Sequence, residues 1–310
     1  MTQIIDLVDS IEYTSTNCFA HQLYDYLKPL GVKTVPLSDI HRYPNPERVL
    51  CRLKQRTVFR KVHELASWAG KAPFVIFDQD PWQAYMDDSE FKGTYEIASQ
   101  YLNVKKIAVT TQLWADFIQR KGHPSSFVRM GVRPEYCNRG LTYEDRPINA
   151  GFIGRLHPYR KTLFDCLDDL DVQVNVQSGS ALPYRDFLAA LSNIRVFVHS
   201  EDGPIIVDGE QMNLSDGLWI KDVEAASQGC FSIRNEGAGY LSYFEGFPKG
   251  PDGLGLVRLY KDPDNVPRIL EGIERMDPAE RQSLIDRTVE YIKGSDRWQE
   301  TATTLVSEAT

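Results

Sequence analysis

The sequence predicts an α/β protein of two Rossmann-like, doubly wound domains. Three observations carry that prediction. Short apolar runs alternate with helix-length segments, the rhythm of parallel strands joined by crossover helices. The rhythm stops once, between residues 131 and 147, and then restarts. The chain has 310 residues, more than the roughly 250 at which a single core usually splits.

Residues 4–8 read as an apolar strand. Residues 18–30 are helical, and Gly31 stands where a helix C-cap belongs. Residues 32–35 are the next strand. Residues 48–68 read as one long helix, with Leu50, Leu53, Val62 and Leu65 among its apolar positions. The run 74–77 is a buried strand ending at Asp78. Strands at 106–110 and 127–130 flank a helix at 113–120. The stretch 131–147, with Pro134, Gly140, Arg146 and Pro147, lacks this periodicity and reads as a linker. Beyond it come a strand at 149–153 closing on Gly154, a helix at 161–169 and a strand at 172–176. A helix at 184–191 and a strand at 194–198 follow. Residues 204–212 form a hairpin about an Asp208-Gly209 turn. A helix at 220–227 precedes Gly229, strands follow at 230–233 and 256–259, and the tail 278–309 is helical. The expected domains are residues 1–140 and 141–285, with a C-terminal helix in 286–310. Two such domains leave a cleft at the carboxyl ends of their strands, where doubly wound sheets bind ligands.

Composition narrows the function. The chain is 42% hydrophobic and 25% charged, which suits a globular protein. No apolar run approaches the ~18 residues of a membrane span, and no basic, cleavable leader is seen. Five scattered cysteines without a Cys-x-x-Cys pair argue against a disulfide framework and for a reducing cytoplasm. The net charge of −8 is concentrated in the second half and argues against nucleic acid as a partner. His41, His63 and His123 show no ligand spacing, so no metal site is expected. No GxGxxG follows the first strand, which disfavours a NAD-dependent dehydrogenase.

Three segments of the second half carry candidate chemistry. Gly154-Arg155-Leu156-His157-Pro158-Tyr159-Arg160-Lys161 is a strand-to-helix turn with three cations, a cradle for a diphosphate. Asp216 and Glu224 stand eight positions apart, one before a helix and one inside it, and can bond different hydroxyls of one ligand. Lys221 lies between them. Asn235-Glu236-Gly237-Ala238-Gly239 is a glycine-rich turn directly after a strand, a contact site for phosphate or sugar. In the first half, Phe77-Asp78-Gln79-Asp80-Pro81-Trp82 ends a strand, and His21 on the first helix opens toward the same rim. Asp78 or Asp80 reads as a hydroxyl ligand, or as the general base of an inverting reaction. Each feature has a plainer reading: a basic surface turn, a helix cap, a packing tryptophan, a structural histidine. His199, at a strand end, is read in the same way as His21. Arg48, Arg52, Lys54, Arg56, Arg60 and Lys61 crowd the 48–68 segment. They offer a contact with anionic lipid, or simply a solvated face.

The order of these motifs resembles the donor domain of GT-B glycosyltransferases, nearest the retaining family-4 type and the CgeB-like transferases. Further text agrees: YRDFLAALSNIRVFVHS from Tyr184, Gly253-Leu254-Gly255-Leu256-Val257, and Tyr260-Lys261-Asp262-Pro263-Asp264. The likeness covers residues 100–275 and is one of layout before that. It implies two Rossmann-like domains facing a cleft. It also implies transfer of a hexose from a nucleoside-diphosphate sugar, UDP- or GDP-linked, to a hydroxyl of a polysaccharide, glycolipid or glycoconjugate. No metal and no further cofactor are implied. Arg155 and Lys161, or Arg160, would bind the donor diphosphate, with Gly154, Lys221, Glu236, Gly237 and Gly239 around it. Glu224 would hold the ribose hydroxyls. Asp216 would stand beside the transferred sugar, where the family has a glutamate, with Asp222 and Glu210 as rivals. Asp78 and Asp80 occupy a region where many relatives carry a histidine, and His21 and Trp82 fall on the acceptor side. The C-terminal helix with Trp298 would brace the first domain. The expected setting is the cytoplasm, with contact to the inner membrane surface through the basic segment. Two rivals remain: a nucleotide-sugar epimerase on the same fold, and a catalytically silent nucleotide- or sugar-binding subunit.

Overall fold

The computed structural model describes residues 3–10, 18–178, 182–213 and 219–308, without the side chains of 18–21. The chain forms two compact units. The first takes residues 1–130, 204–212 and 297–310, and the second takes 131–203 and 213–296.

The first unit is built on a parallel sheet in the order β2-β1-β3-β4-β5-β6. Its strands are β1 (Ile4–Val8), β2 (Val32–Pro36), β3 (Arg48–Cys51), β4 (Pro73–Asp78), β5 (Asn103–Val109) and β6 (Ser125–Phe127). Ile5, Leu7 and Val8 are all buried, as a central parallel strand requires when both faces are covered. The first helix, Cys18–Leu27, runs into a short 3-10 turn that stops at Gly31, where the backbone turns left-handed with φ 76°.

The long helix expected at 48–68 is instead a strand and a helix. Val49, Leu50 and Cys51 pair with both β1 and β4 and are buried. Helix Gln55–Ala69 begins only after Lys54, whose backbone is extended. The sheet needs a strand between β1 and β4, and that pairing overrides the local helical spacing. Arg52 leaves the strand inward and donates to Asp6 from Nε at 2.7 Å and Nη2 at 2.6 Å. Arg60 and Lys61 lie on the helix paired to Glu90 and Glu64. The six cations therefore share no single face.

The second unit carries five parallel strands in the order β13-β12-β9-β7-β8. In chain order these begin with β7 (Ile148–Ile153), β8 (Asn175–Gln177) and β9 (Ile194–His199). The chain then returns to the first unit as the hairpin β10 (Pro204–Val207) and β11 (Glu210–Asn213), which turns at Asp208 and Gly209. The Asp87 carboxylate fastens the turn, accepting the N–H of Asp208 at 3.2 Å and of Gly209 at 2.8 Å. Strands β12 (Phe231–Asn235) and β13 (Val257–Tyr260) complete the second sheet. Phe152, Leu188, Leu191, Ile194, Phe197 and Cys230 form its core between sheet and helices.

The hand-over between units falls at 130, ten residues before the expected boundary at 140. The stretch read as a linker is tied into the second unit. The buried Arg146 guanidinium donates to the carbonyls of Leu141, Ile194, Gln228 and Arg139. The tail is two helices, Pro278–Ser295 in the second unit and Arg297–Glu308 in the first. Trp298 in the last helix is fully buried and donates from Nε1 to Gln22 at 3.0 Å. Among the described residues, no helix is long and apolar enough to cross a membrane.

Candidate functional site

The carboxyl edge of the second sheet gathers most of the candidate residues. Gly154 follows β7 with φ 155°, and a Cβ there would stand 3.0 Å from the Phe152 ring, so glycine is required. The turn leads into helix Pro158–Asp169, which carries Arg160 and Lys161 on its first turn. Arg160 points inward and is 3% exposed. It donates from Nε to Ser200 O at 3.0 Å, from Nη1 to Arg155 O at 2.7 Å, and from Nη2 to Glu201. Lys161 points outward, side chain 64% exposed, and bonds Asp165 one turn on. Arg155 is exposed, and no described residue bonds its guanidinium.

Glu201, just past the end of β9, is the hub of this edge. It is buried, and its Oε1 accepts from both Arg160 and Lys221, the latter at 2.7 Å. Tyr159 donates to Oε2 at 3.5 Å, and His199 Nδ1 stands 3.4 Å from Oε1. Burial alone would raise its carboxyl, but Lys221, His199 and Arg160 prevail and hold it well below the usual carboxylate range.

Behind this hub lies a second buried network. Asp222 takes Ser232 Oγ at 2.6 Å and Arg234 Nη1 at 3.0 Å, and its Oδ1 is 3.0 Å from His199 Nε2. Burial opposes its ionisation, yet His199, Arg234 and Ser232 keep its carboxyl below the ordinary value. His199 is thus a paired core residue. Asp222 is spent on this network.

Glu224, one turn along helix Ile220–Ser227, is 3% exposed, and its Oε1 has no hydrogen-bond partner among the described residues. Burial pushes its carboxyl up to about 8; Tyr184 and Lys221 counter that rise and Asp222 adds to it. A buried acceptor left open in a folded protein calls for a partner. Beyond β12, the half-exposed Glu236 stands 3.8 Å from Lys261, and Ala238 O accepts from Trp219 Nε1 at 3.2 Å. Gly239, left-handed at φ 82°, opens helix Tyr240–Phe244 beside Gly237. Asp216 lies outside the described residues, as does the His21 side chain. The rival Glu210 belongs to the hairpin of the first unit.

In the first unit, Asp78 ends β4 and is buried. Its carboxylate accepts from Gln55 Nε2 at 2.7 Å, Tyr95 OH at 2.8 Å and the Asp80 amide at 2.9 Å. Burial raises its carboxyl despite these donors. It is a capped structural acid rather than an open base. Trp82 packs in the core, 7% exposed and 6.5 Å from Trp114 between ring centres. Asp80 is half-buried at the same strand end.

Solved structures share this architecture end to end. A sucrose-phosphate synthase from Thermosynechococcus elongatus superposes with a TM-score of 0.62 at 12% identity, over 98% of each chain. An E. coli trehalose-6-phosphate structure bound with UDP-2-fluoro glucose gives 0.63 at 10% identity over 99% of each. An α,α-trehalose-phosphate synthase (UDP-forming) from Burkholderia vietnamiensis gives 0.56 at 12%, over 96% of this chain and 85% of that one. The fold is GT-B. At these identities the likeness is one of fold. No protein-family model matches the sequence, and no curated protein matches it.

On this GT-B fold, the sequence places its second-half candidates on one edge of the second sheet but does not disclose how they are wired. Sequence reasoning treated Arg160 and Lys161 as interchangeable, whereas one is buried and the other solvated. It passed over Glu201. The only local signal was position: the second residue after an apolar strand, on the edge where ligands bind. Its partners lie 41 and 20 residues away in the chain, and no local spacing marks them.

Proposed function

We propose that the protein is a glycosyltransferase that moves a hexose from a nucleoside-diphosphate sugar to a hydroxyl of a carbohydrate or lipid-linked acceptor. One observation carries the reading. Among the described residues, the second unit's carboxyl edge holds Glu224 with an open acceptor oxygen, next to Lys221 and on the same edge as the unpartnered cation Arg155. A nucleoside diphosphate offers what such an edge lacks: hydroxyls for a carboxyl and phosphates for the cations. The GT-B fold and its solved neighbours, several described with UDP or UDP-glucose, support a UDP-linked donor over a GDP-linked one.

In this reading the bond from the sugar's anomeric carbon to the diphosphate breaks, and its electron pair leaves with the diphosphate. The acceptor hydroxyl bonds to that carbon and passes its proton to the departing diphosphate. Arg155 and Lys221 offset the growing negative charge, an electrostatic role. Glu224 binds the ribose hydroxyls, and the family pattern assigns Asp216 the contact with the transferred sugar. Asp80 is the first unit's candidate for a sugar or acceptor hydroxyl. We assign retention of anomeric configuration, following the family resemblance.

The test is a thermal-shift screen with UDP, GDP and their sugars on wild type and Glu224→Ala, followed by turnover with and without acceptors. Selective stabilisation lost in the variant, with diphosphate release that needs an acceptor, supports the reading. A new sugar epimer formed without acceptor points to an epimerase, and nucleotide binding without any turnover points to a silent subunit. The anomeric configuration of the product decides retention.

A further inference from the structure

Two buried or half-buried cations, Arg160 and Lys221, share a single carboxylate oxygen of Glu201. The two are not equivalent. Arg160 is fixed at all three guanidinium nitrogens, two of them by the backbone carbonyls of Ser200 and Arg155. Glu201 is fixed as well, because its amide N–H donates to Asn235 Oδ1 at 2.8 Å and its side chain is 1% exposed. Lys221 is the loose member. Its ammonium has Glu201 as its one hydrogen-bond partner among the described residues, and its side chain is 29% exposed. It also sits on the first turn of helix Ile220–Ser227, where the helix dipole disfavours a cation and favours an anion.

We infer that Glu201 is an internal counter-anion: it holds Lys221 while the site is empty and yields it to the phosphates of an arriving ligand. This rests on the donor-site reading above, and it assigns Glu201 a positioning role that acts through Lys221. Without Glu201, Arg160 and Lys221 would face each other unneutralised in a poorly solvated place. With it, an incoming diphosphate must compete with a carboxylate for Lys221, while Arg160 stays on Glu201 and keeps the Gly154–Arg155 turn in place. The competition weakens the hold on a diphosphate and so eases the departure of a diphosphate product. Charge, rather than shape, is the operative property, and a neutral side chain of the same size separates the two.

The experiment measures binding of inorganic pyrophosphate, UDP and GDP at fixed ionic strength to wild type, Glu201→Gln, Glu201→Asp and Lys221→Gln. Glu201→Gln is expected to lower the ligand-free melting temperature and to tighten pyrophosphate binding about tenfold, the worth of one charge-assisted hydrogen bond. Glu201→Asp should restore wild-type affinity, and Lys221→Gln should weaken it. In turnover, Glu201→Gln should lower both KM for the donor and kcat, because product leaves more slowly. A merely structural glutamate would give equal or weaker pyrophosphate binding in Glu201→Gln, and that result overturns the inference. If Glu201→Gln does not fold in chloride, recovery in pyrophosphate supports the inference and recovery in neither overturns it. Nucleotide binding that Glu201→Gln leaves unchanged sinks the counter-anion and spares the donor reading. Pyrophosphate effects as expected with no nucleotide binding sink the donor reading and spare the counter-anion.

Discussion

The Arg234 guanidinium donates to Asp222 Oδ2 at 3.0 Å, with neither side chain reaching solvent. The same guanidinium lies 3.8 Å over the Trp219 ring. One ion pair thus joins β12 to the helix that carries Lys221 and Glu224. Arg234→Met leaves Asp222 as a buried charge short of one partner. It is expected to cost about 3–5 kcal/mol in urea unfolding, the usual result of breaking a buried pair. A loss under about 1 kcal/mol would mean the pair is not buried as described.

Glu224 gives a pH signature. Its folded carboxyl is raised to about 8 from an ordinary 4.5, so folding takes up a proton between those values. Its contribution to stability is full below the unfolded value and is lost as pH rises through the folded one. Glu224→Gln should therefore gain on wild type in melting temperature as pH climbs from 5 to 8. Parallel curves across that range would refute the raised carboxyl.

Arg155 and Arg160 should separate cleanly. Arg155→Ala removes an exposed side chain with no bonding partner among the described residues, and stability is expected to change by less than about 0.5 kcal/mol. Nucleotide binding should weaken tenfold or more, roughly one charge-assisted contact. Arg160→Ala should instead lower the melting temperature strongly, because it strips three bonds from a buried site. Calorimetry of both variants checks the pair.

Asp87 offers a local test in the first unit. Its carboxylate caps both turn residues of the β10–β11 hairpin, so Asp87→Ala should raise amide hydrogen exchange at Asp208 and Gly209. Global stability should barely move, since Asp87 is partly exposed and its pair with Lys92 is a surface one. Unchanged exchange would show that the turn holds itself.

What the sequence disclosed follows from how far apart the cooperating residues are. The Asp208-Gly209 hairpin and the Gly31 cap were legible because turn chemistry is local: the conformation is required within two or three residues. Helices Tyr184–Leu191 and Ile220–Ser227 were legible from periodicity. Strand β3 was not. Leu50 and Leu53 fit a helical spacing as well as a strand, and only pairing with β1 and β4 decides. The candidate edge was legible as a place and not as a circuit. His199, Asp222 and Arg234 meet from separate elements, and two of the three donors to Asp78 lie on other segments.

The route of the chain through its two units bears on synthesis. It changes unit at 130, 203, 212 and 296, so the first unit receives its hairpin and its last helix long after its sheet has emerged. A ribosome releases the second unit's final residues before it releases the helix that buries Trp298 against Gln22. The six-stranded sheet must therefore wait, with the seat of that tryptophan empty, while the younger unit is still being made. Of the two units, the one whose sheet is made first is completed after the other, and a fragment of residues 1–130 should depend on chaperones or fail.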